Sequence, residues 1–302
     1  MITDLHPITI KQGDSFCFVI LSDLHIGART FAEEEFKTAC DYILKLSKEK
    51  QVIVILNGDI IEAINYKDKR FDWQQIDQNE KRYPRDATSA IPQYQCEHAK
   101  ELLAPIAHLI YYIAEGNHEE SLKEYSGSLD CVKYLMDNIL TKECKNVGYA
   151  SYLVFPIMFT HRVDEPRNEY HFSMAINHGV GGGMLPGAVL NSAYKLFEAP
   201  QADIYVMGHM HHGLNDICEK YAYNPHKGFY VYSQYYCCVG SFMKKDTEGS
   251  MTYANKLKGQ AYPVSFTQIE ITVGKTKPDC KIVATTQYPN VNNKFSQCER
   301  RL

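Results

Sequence analysis

Five short clusters rich in Asp, Asn and His stand out in the sequence, and each directly follows an apolar run. Phe16 to Leu21 (FCFVIL) runs into Ser22-Asp23-Leu24-His25, and Val52 to Leu56 (VIVIL) into Asn57-Gly58-Asp59. LIYYIA, ending at Ala114, runs into Glu115-Gly116-Asn117-His118-Glu119. YHFSMAI runs into Asn177-His178-Gly179, and DIYVM into Gly208-His209-Met210-His211. Alone, a DxH or a GD is a chance event, and a single His is more often a hydrogen-bonded structural residue; His161, His171 and His212 are read that way. Five such clusters in series point instead to a metal site. None contains Cys, which excludes a thiolate zinc cage or an iron–sulfur centre. Carboxylate, imidazole and amide oxygen suit Mn, Fe, Co, Ni or Zn. Asp23, His25, Asp59, Asn117, His178, His209 and His211 are seven candidate ligands, too many for one tetrahedral ion. They suit two ions bridged by one carboxylate, and Asp59 serves if its two oxygens face different metals. Asp23 and His25, like His209 and His211, are two residues apart, a spacing that returns side chains to one face of extended backbone.

These clusters need elements that end together. FCFVIL and VIVIL are short continuous apolar runs, as strands buried on both faces require. Between them Thr30 and Glu33 form a capping-box pattern, and Phe36, Ala39, Ile43 and Leu46 give a helical apolar face. A helix from about Glu97 to His108 leads into a third strand, Leu109 to Ala114. Such alternation predicts a parallel sheet with right-handed crossovers, whose ligand crevice lies at the carboxyl ends of the strands. The second half is richer in strands: Tyr152 to Thr160, Tyr170 to Ile176, Asp203 to Met207, Phe229 to Ser233 and Val264 to Thr272. Helices are expected near Leu129 to Leu140 and Leu190 to Phe197. Two facing mixed sheets with helices outside accommodate this order. No internal repeat or low-complexity linker is visible, so residues 1–302 are expected to form one domain. At about 65–95 a polar, aromatic stretch interrupts the rhythm. It reads either as a cap, with Tyr66, Phe71, Trp73 and Tyr83 able to stack on a base, or as a solvated surface excursion. The Gly-rich stretch Gly179 to Gly183 reads as a tight turn in preference to a backbone cradle for phosphate.

D-x-H, G-D, G-N-H-[DE], H and G-H-x-H, in that order from Asp23 to His211, resemble the calcineurin-like metallophosphoesterase superfamily. The resemblance implies a four-layer αββα sandwich and a dinuclear site. Asp23, His25, Asp59 and His211 would hold one metal, and Asp59, Asn117, His178 and His209 the other. His118 would be the catalytic histidine beside them. Protein Ser/Thr phosphatases of the superfamily carry an arginine shortly after G-D, where Gly58-Asp59-Ile60-Ile61-Glu62-Ala63 has none. Glu62 falls where those enzymes place an acid that orients the catalytic histidine, and Glu119 is a competing candidate. The texture also resembles, more loosely, phosphoesterases common in bacteria and phages.

The implied chemistry is phosphate-ester hydrolysis with two divalent ions, manganese favoured over iron, zinc or nickel. A bridging hydroxide would attack phosphorus directly, without a phosphoenzyme, and His118 would protonate the leaving alkoxide, a role worth about 10²–10⁴ in rate. A phosphodiester is the favoured substrate, with a nucleotide or single-stranded nucleic acid among the candidates. A nuclease or a phosphomonoesterase is the alternative. A non-catalytic scaffold would be expected to have lost a motif position, and a redox role lacks a Tyr or Cys ligand. The 302 residues carry 36 acidic and 32 basic side chains, a net charge of -4, which argues against long duplex DNA as partner. No apolar stretch reaches the roughly 18–20 residues of a membrane span, and the N-terminus lacks a signal-peptide pattern. Ten scattered cysteines without CxxC spacing read as reduced thiols in a cytoplasmic protein, or in the host cytoplasm if phage-encoded.

Overall fold

The computed structural model describes residues 7–63, 71–77, 90–126, 129–160, 168–181, 183, 185–197, 201–225, 228–244, 262–290 and 296–297. In chain order the first half contains β1 (Ile8–Lys11), β2 (Ser15–Leu21), α1 (Glu33–Glu49), β3 (Gln51–Asn57), α2 (Ile91–Leu103), β4 (Ile110–Ala114), α3 (Asn117–Ser126), α4 (Cys131–Asn138) and β5 (Lys145–Gly148). The second half contains β6 (Ala150–Thr160), β7 (Asn168–Asn177), α5 (Pro186–Leu196), β8 (Ile204–Met207), β9 (Leu214–Asn224), β10 (Gly228–Cys238), β11 (Phe266–Thr272), β12 (Lys281–Tyr288) and β13 (Ser296–Gln297). They build a seven-stranded sheet, β13-β12-β11-β2-β3-β4-β5, and a six-stranded sheet, β1-β6-β7-β8-β10-β9. Both are mixed. β2, β3, β4 and β5 run parallel, as do β7, β8 and β10.

Period-two burial divides the first strand run between two cores. Phe16, Phe18 and Ile20 face the other sheet and pack with Phe155, Phe172, Ile176 and Val206. Cys17, Val19 and Leu21 face the opposite way, onto Phe36, Ala39 and Ile43 of α1 and onto α2 and α4. A third cluster joins Val189 and Ala193 of α5 to Tyr205 and Tyr236 on the far face of the six-stranded sheet. The layers are therefore helix, sheet, sheet, helix, the αββα sandwich expected. Each fully buried Phe, Ile or Leu contributes roughly 1.5–3 kcal/mol to holding them together. Cys17, Cys40, Cys96, Cys131 and Cys144 are buried free thiols and act as small core hydrophobes.

Several local expectations are corrected. α1 begins at Glu33 with Ala32, not Thr30, at its N-cap and no side-chain cap. Its entry is fixed instead by a backbone bridge: Ala32 N–H donates to Phe242 O at 2.7 Å and Lys244 N–H to Thr30 O at 2.8 Å. The helix expected over Glu97 to His108 starts six residues earlier, with Pro92 in its first turn, so the 65–95 interruption is shorter than it reads. It stops at Leu103 because Pro105 lacks the N–H an α-helix needs, and a short 3-10 helix, Ala104–Leu109, carries the chain into β4. Within the interruption, Ile76 bridges Ala28 and Asp77 N–H donates to Gly27 O at 3.2 Å. Tyr66 and Tyr83 lie outside the described residues, as does His161. β1, β5, β9, β12, β13 and α3 lie outside the elements the sequence predicts, and β10 is longer than the Phe229 to Ser233 run.

Candidate metal centre

All five clusters sit where the sequence puts them, just past the carboxyl ends of β2, β3, β4, β7 and β8. They come from both sheets, the first three from the seven-stranded sheet and the last two from the six-stranded one. The strand ladders continue into the loops. Asp23 N–H donates to Gly58 O at 3.1 Å, His25 N–H to Asp59 O at 3.0 Å and Gly208 N–H to His178 O at 2.9 Å. Yet these loops are not extended, as the two-residue spacing implied. Asp23, His25, Asp59, His209 and His211 all have positive φ, between 49° and 64°. Left-handed backbone at a non-glycine residue costs of order 1–3 kcal/mol and persists only where the surroundings over-determine it. Here it turns each side chain inward.

Two carboxylate–imidazole trios result, Asp23, His25 and His211, and Asp59, His178 and His209, the ligand atoms in each lying within 4.8 Å of one another; a third group of the same kind, His25, Glu62 and His118, shares His25 with the first. In the first, His211 Nε2 lies 3.2 Å from Asp23 Oδ1 and 3.3 Å from His25 Nε2. In the second, His178 Nε2 lies 3.1 Å from Asp59 Oδ2. The same Oδ2 is 3.8 Å from His25 Nε2, so Asp59 lies between the trios. Its two oxygens do not divide between the two sides as expected: Oδ1 instead accepts the main-chain N–H of His118 at 3.0 Å. Asn117 joins the second trio, its Oδ1 2.9 Å from His209 Nδ1. Close approach demands glycine at Gly116, where an added Cβ would lie 2.1 Å from Asp59 Oδ1, and at Gly208, where it would lie 2.2 Å from Ser22 Oγ.

Burial and charge set the proton states. Asp23, Asp59 and His178 are inaccessible or nearly so. Burial alone would raise the pKa of both aspartates, but His211 beside Asp23, and His118 and His178 beside Asp59, hold them below the ordinary value. Burial would lower the His178 pKa, but the Asp59 carboxylate pushes it up to about 10. His211 is likewise raised by Asp23 against its own desolvation. Desolvation and His178 lower the His209 pKa, which keeps that ring neutral.

The two acids considered as orienting groups take different parts. Glu62 Oε2 accepts from His25 Nδ1 at 2.9 Å, whereas it stands 3.9 Å from His118 Nδ1. His118 Nδ1–H donates instead to the main-chain oxygen of Glu62. The Glu62 carboxylate thus orients His25, and its peptide group orients His118. Glu119 is a clamp: Oε2 accepts from Asp59 N–H and Gly116 N–H, both at 2.9 Å, and Oε1 from Ile60 N–H at 2.7 Å and Ile61 N–H at 3.2 Å. Burial and the neighbouring Asp59 carboxylate raise its pKa, and its bond from Gly116 N–H opposes them. Glu115 lies apart, paired with Lys123 at 2.7 Å. His171 is exposed beside Glu169, and His212 stacks on Tyr262 at 3.6 Å.

Residues 17–213 match the model of the calcineurin-like phosphoesterase family. The chain belongs to that family. No curated protein matches it. Among solved structures, GAP50, the anchor in the inner membrane complex of Plasmodium, is 8% identical over 94% of this chain and 88% of its own, with a TM-score of 0.44.

As a calcineurin-like phosphoesterase the chain is expected to hold divalent cations, and its donor atoms fit them. His178 Nδ1–H donates to Asn57 O at 2.8 Å and His25 Nδ1–H to Glu62, so both rings present Nε2 to the centre. His209 works the other way round: Nε2–H donates to Gly181 O at 3.2 Å, and the Nδ1 lone pair meets the Asn117 amide oxygen. Two acceptors facing at 2.9 Å repel unless a cation lies between them. Anchoring the outer nitrogen of a ligating imidazole is the usual support for a metal-binding histidine. Sequence reasoning missed Ser22, whose hydroxyl donates to Asp23 Oδ2 at 2.5 Å, and the carbonyl of Asn57; nothing in their residue types marks them.

Proposed function

We propose that the protein is a dinuclear metal-dependent phosphoesterase, that it cleaves a phosphodiester, and that manganese is its preferred metal. The observation that carries this reading is Asp59 Oδ2 lying between His25 and His178, which belong to different trios. Cations bound there would polarise the phosphoryl oxygens and lower the pKa of water. The chain's own part is proton transfer and positioning. His118 packs its ring edge-on to His25 with centroids 4.7 Å apart, and its main-chain N–H steadies Asp59. With Nδ1–H committed to Glu62 O, Nε2 is the nitrogen that gives a proton to the leaving oxygen. The five clusters contain no Lys or Arg to meet the second charge of a monoester dianion, which favours a singly charged diester such as a nucleotide diester.

Metal analysis followed by a substrate panel tests this reading. Two manganese ions per chain are expected, with bis-(p-nitrophenyl) phosphate hydrolysed faster than p-nitrophenyl phosphate. His118→Ala should retain both ions and lose about 10²–10⁴ in kcat. A faster monoester refutes the diester preference, and a chain that takes up no manganese, iron, nickel or zinc refutes the whole reading.

A further inference from the structure

β9 and β10 continue well past the sheet they belong to. β10 meets β8 only at Tyr235, Tyr236, Cys237 and Cys238. From Gly228 to Gln234 it pairs with the stretch Asn224 to Cys218 of β9 and, among the described residues, with no other strand. A two-stranded ribbon is marginally stable in water unless something packs on a face. Residues directly opposite one another in an antiparallel pair share a face. The register Phe229↔Tyr223 and Val231↔Tyr221 therefore lines one side with four apolar side chains, and Tyr235↔Ile217 extends it beyond Glu219 and Ser233. Phe229 is 81% exposed, Tyr221 78%, Tyr223 63%, Val231 49% and Ile217 48%. Isolated apolar exposures are ordinary, but a contiguous aromatic strip marks an interaction surface.

We propose that this strip is the contact surface for a second copy of the chain, packed face to face about a twofold axis. The exposed surface of these five residues amounts to about 600 Å², most of the roughly 800 Å² per partner of a standard interface. A twofold contact must be self-complementary, and Phe229, Tyr223, Val231 and Tyr221 bring no charge to it, Glu219 being the charged side chain at the edge of that strip. A face built for anionic lipid would carry basic residues, yet Lys220 stands opposite Tyr232 on the other side of the ribbon. Location agrees with an independent role. Leu214 and Cys238 lie at the metal-centre end, and the Asn224 and Gly228 tip is about 30 Å along the strands at roughly 3.3 Å per residue. Association there leaves the centre open.

Analytical ultracentrifugation of the full chain between about 1 and 100 μM tests the proposal, a range that spans ordinary specific association. The wild-type chain is expected to dimerise, and Tyr221→Ser with Phe229→Ser to weaken association about 100-fold, as truncating two central aromatics does. Val231→Lys, which puts an unpaired charge into the apolar contact, should do the same while keeping both aromatics. Unchanged circular dichroism and metal content check that each variant is folded. A monomeric wild-type chain at the highest concentration overturns the proposal, as does a dimer that both variants leave intact. Binding of a monomer to phosphatidylcholine–phosphatidylglycerol vesicles through this strip also overturns it, by naming a different occupant.

Discussion

In the metal-free chain a proton on His178 Nε2 takes the place of a cation, 3.1 Å from Asp59 Oδ2. The His178 pKa is raised from 6.5 to about 10, so this proton stabilises the metal-free fold fully below the unfolded value, and the contribution is lost as pH climbs through 10. Metal must displace it. Calorimetric titration of manganese at pH 7, in buffers of different ionisation enthalpy, should show release of about one proton or more per chain, with affinity rising as pH increases. A pH-independent affinity with no proton release would refute this assignment. Glu62 gives a second prediction at this scale. The imidazoles of His118 and His25 hold its carboxyl below the ordinary range against its burial, so His25 Nδ1–H meets an anion. Glu62→Gln keeps the shape and removes that charge. Metal affinity should fall about 10–100-fold in competitive titration, while kcat at saturating metal stays near wild type because His118 leans on the main-chain oxygen. A lost kcat at saturating metal would instead make the carboxylate a partner of His118.

Loops, not strands, aim these groups, and Glu119 ties two of them together. From the first turn of α3 it accepts four backbone N–H groups, three from the Asp59 loop and one from Gly116. Glu119→Gln turns one of those acceptors into a donor facing an N–H. It should lower the unfolding free energy of the metal-free protein by about 1–3 kcal/mol in urea titrations. Gly208→Ala acts on the other side, since its Cβ would lie 2.8 Å from Asp23 Oδ2, and metal analysis should find the Asp23 trio weakened. The sequence shows where these loops begin because buried parallel strands such as FCFVIL and VIVIL are unbroken apolar runs that stop abruptly at Asp, Asn or His. It does not show how they turn. Left-handed conformations at Asp23, His25, Asp59, His209 and His211 fall on residues with a Cβ, where no glycine signals them. The Glu119 clamp is equally hidden, because an acid after G-N-H reads the same whether it faces His118 or the backbone. β9 is hidden in the sequence because Tyr221 and Tyr223 are exposed and follow Glu219 and Lys220, so the stretch shows no buried apolar run.

At the scale of the molecule, the centre spans the seam between the two sheets. Asp23, His25, Asp59 and Asn117 come from one sheet, and His178, His209 and His211 from the other, so the Asp23 trio and the Asp59 trio both contain residues of the two sheets. Phe18, Phe155 and Tyr112 hold the seam from within, with ring centroids 4.7 and 5.7 Å apart. Cations bound at its rim would join the sheets a second time, which ligands from a single sheet could not do. Binding to the folded chain alone stabilises it by about 2.7 kcal/mol per site at a hundredfold excess over Kd, on the order of 5 °C in Tm for a chain of this size. Manganese should raise Tm by at least that much and chelation should reverse it. Asp59→Asn removes charge from the group lying between the trios and should abolish most of the shift, whereas His118→Ala should keep it. Melting curves that manganese leaves unmoved in the wild-type chain would mean that no metal bridges the sheets. An equal shift in Asp59→Asn would mean that the metal binds elsewhere.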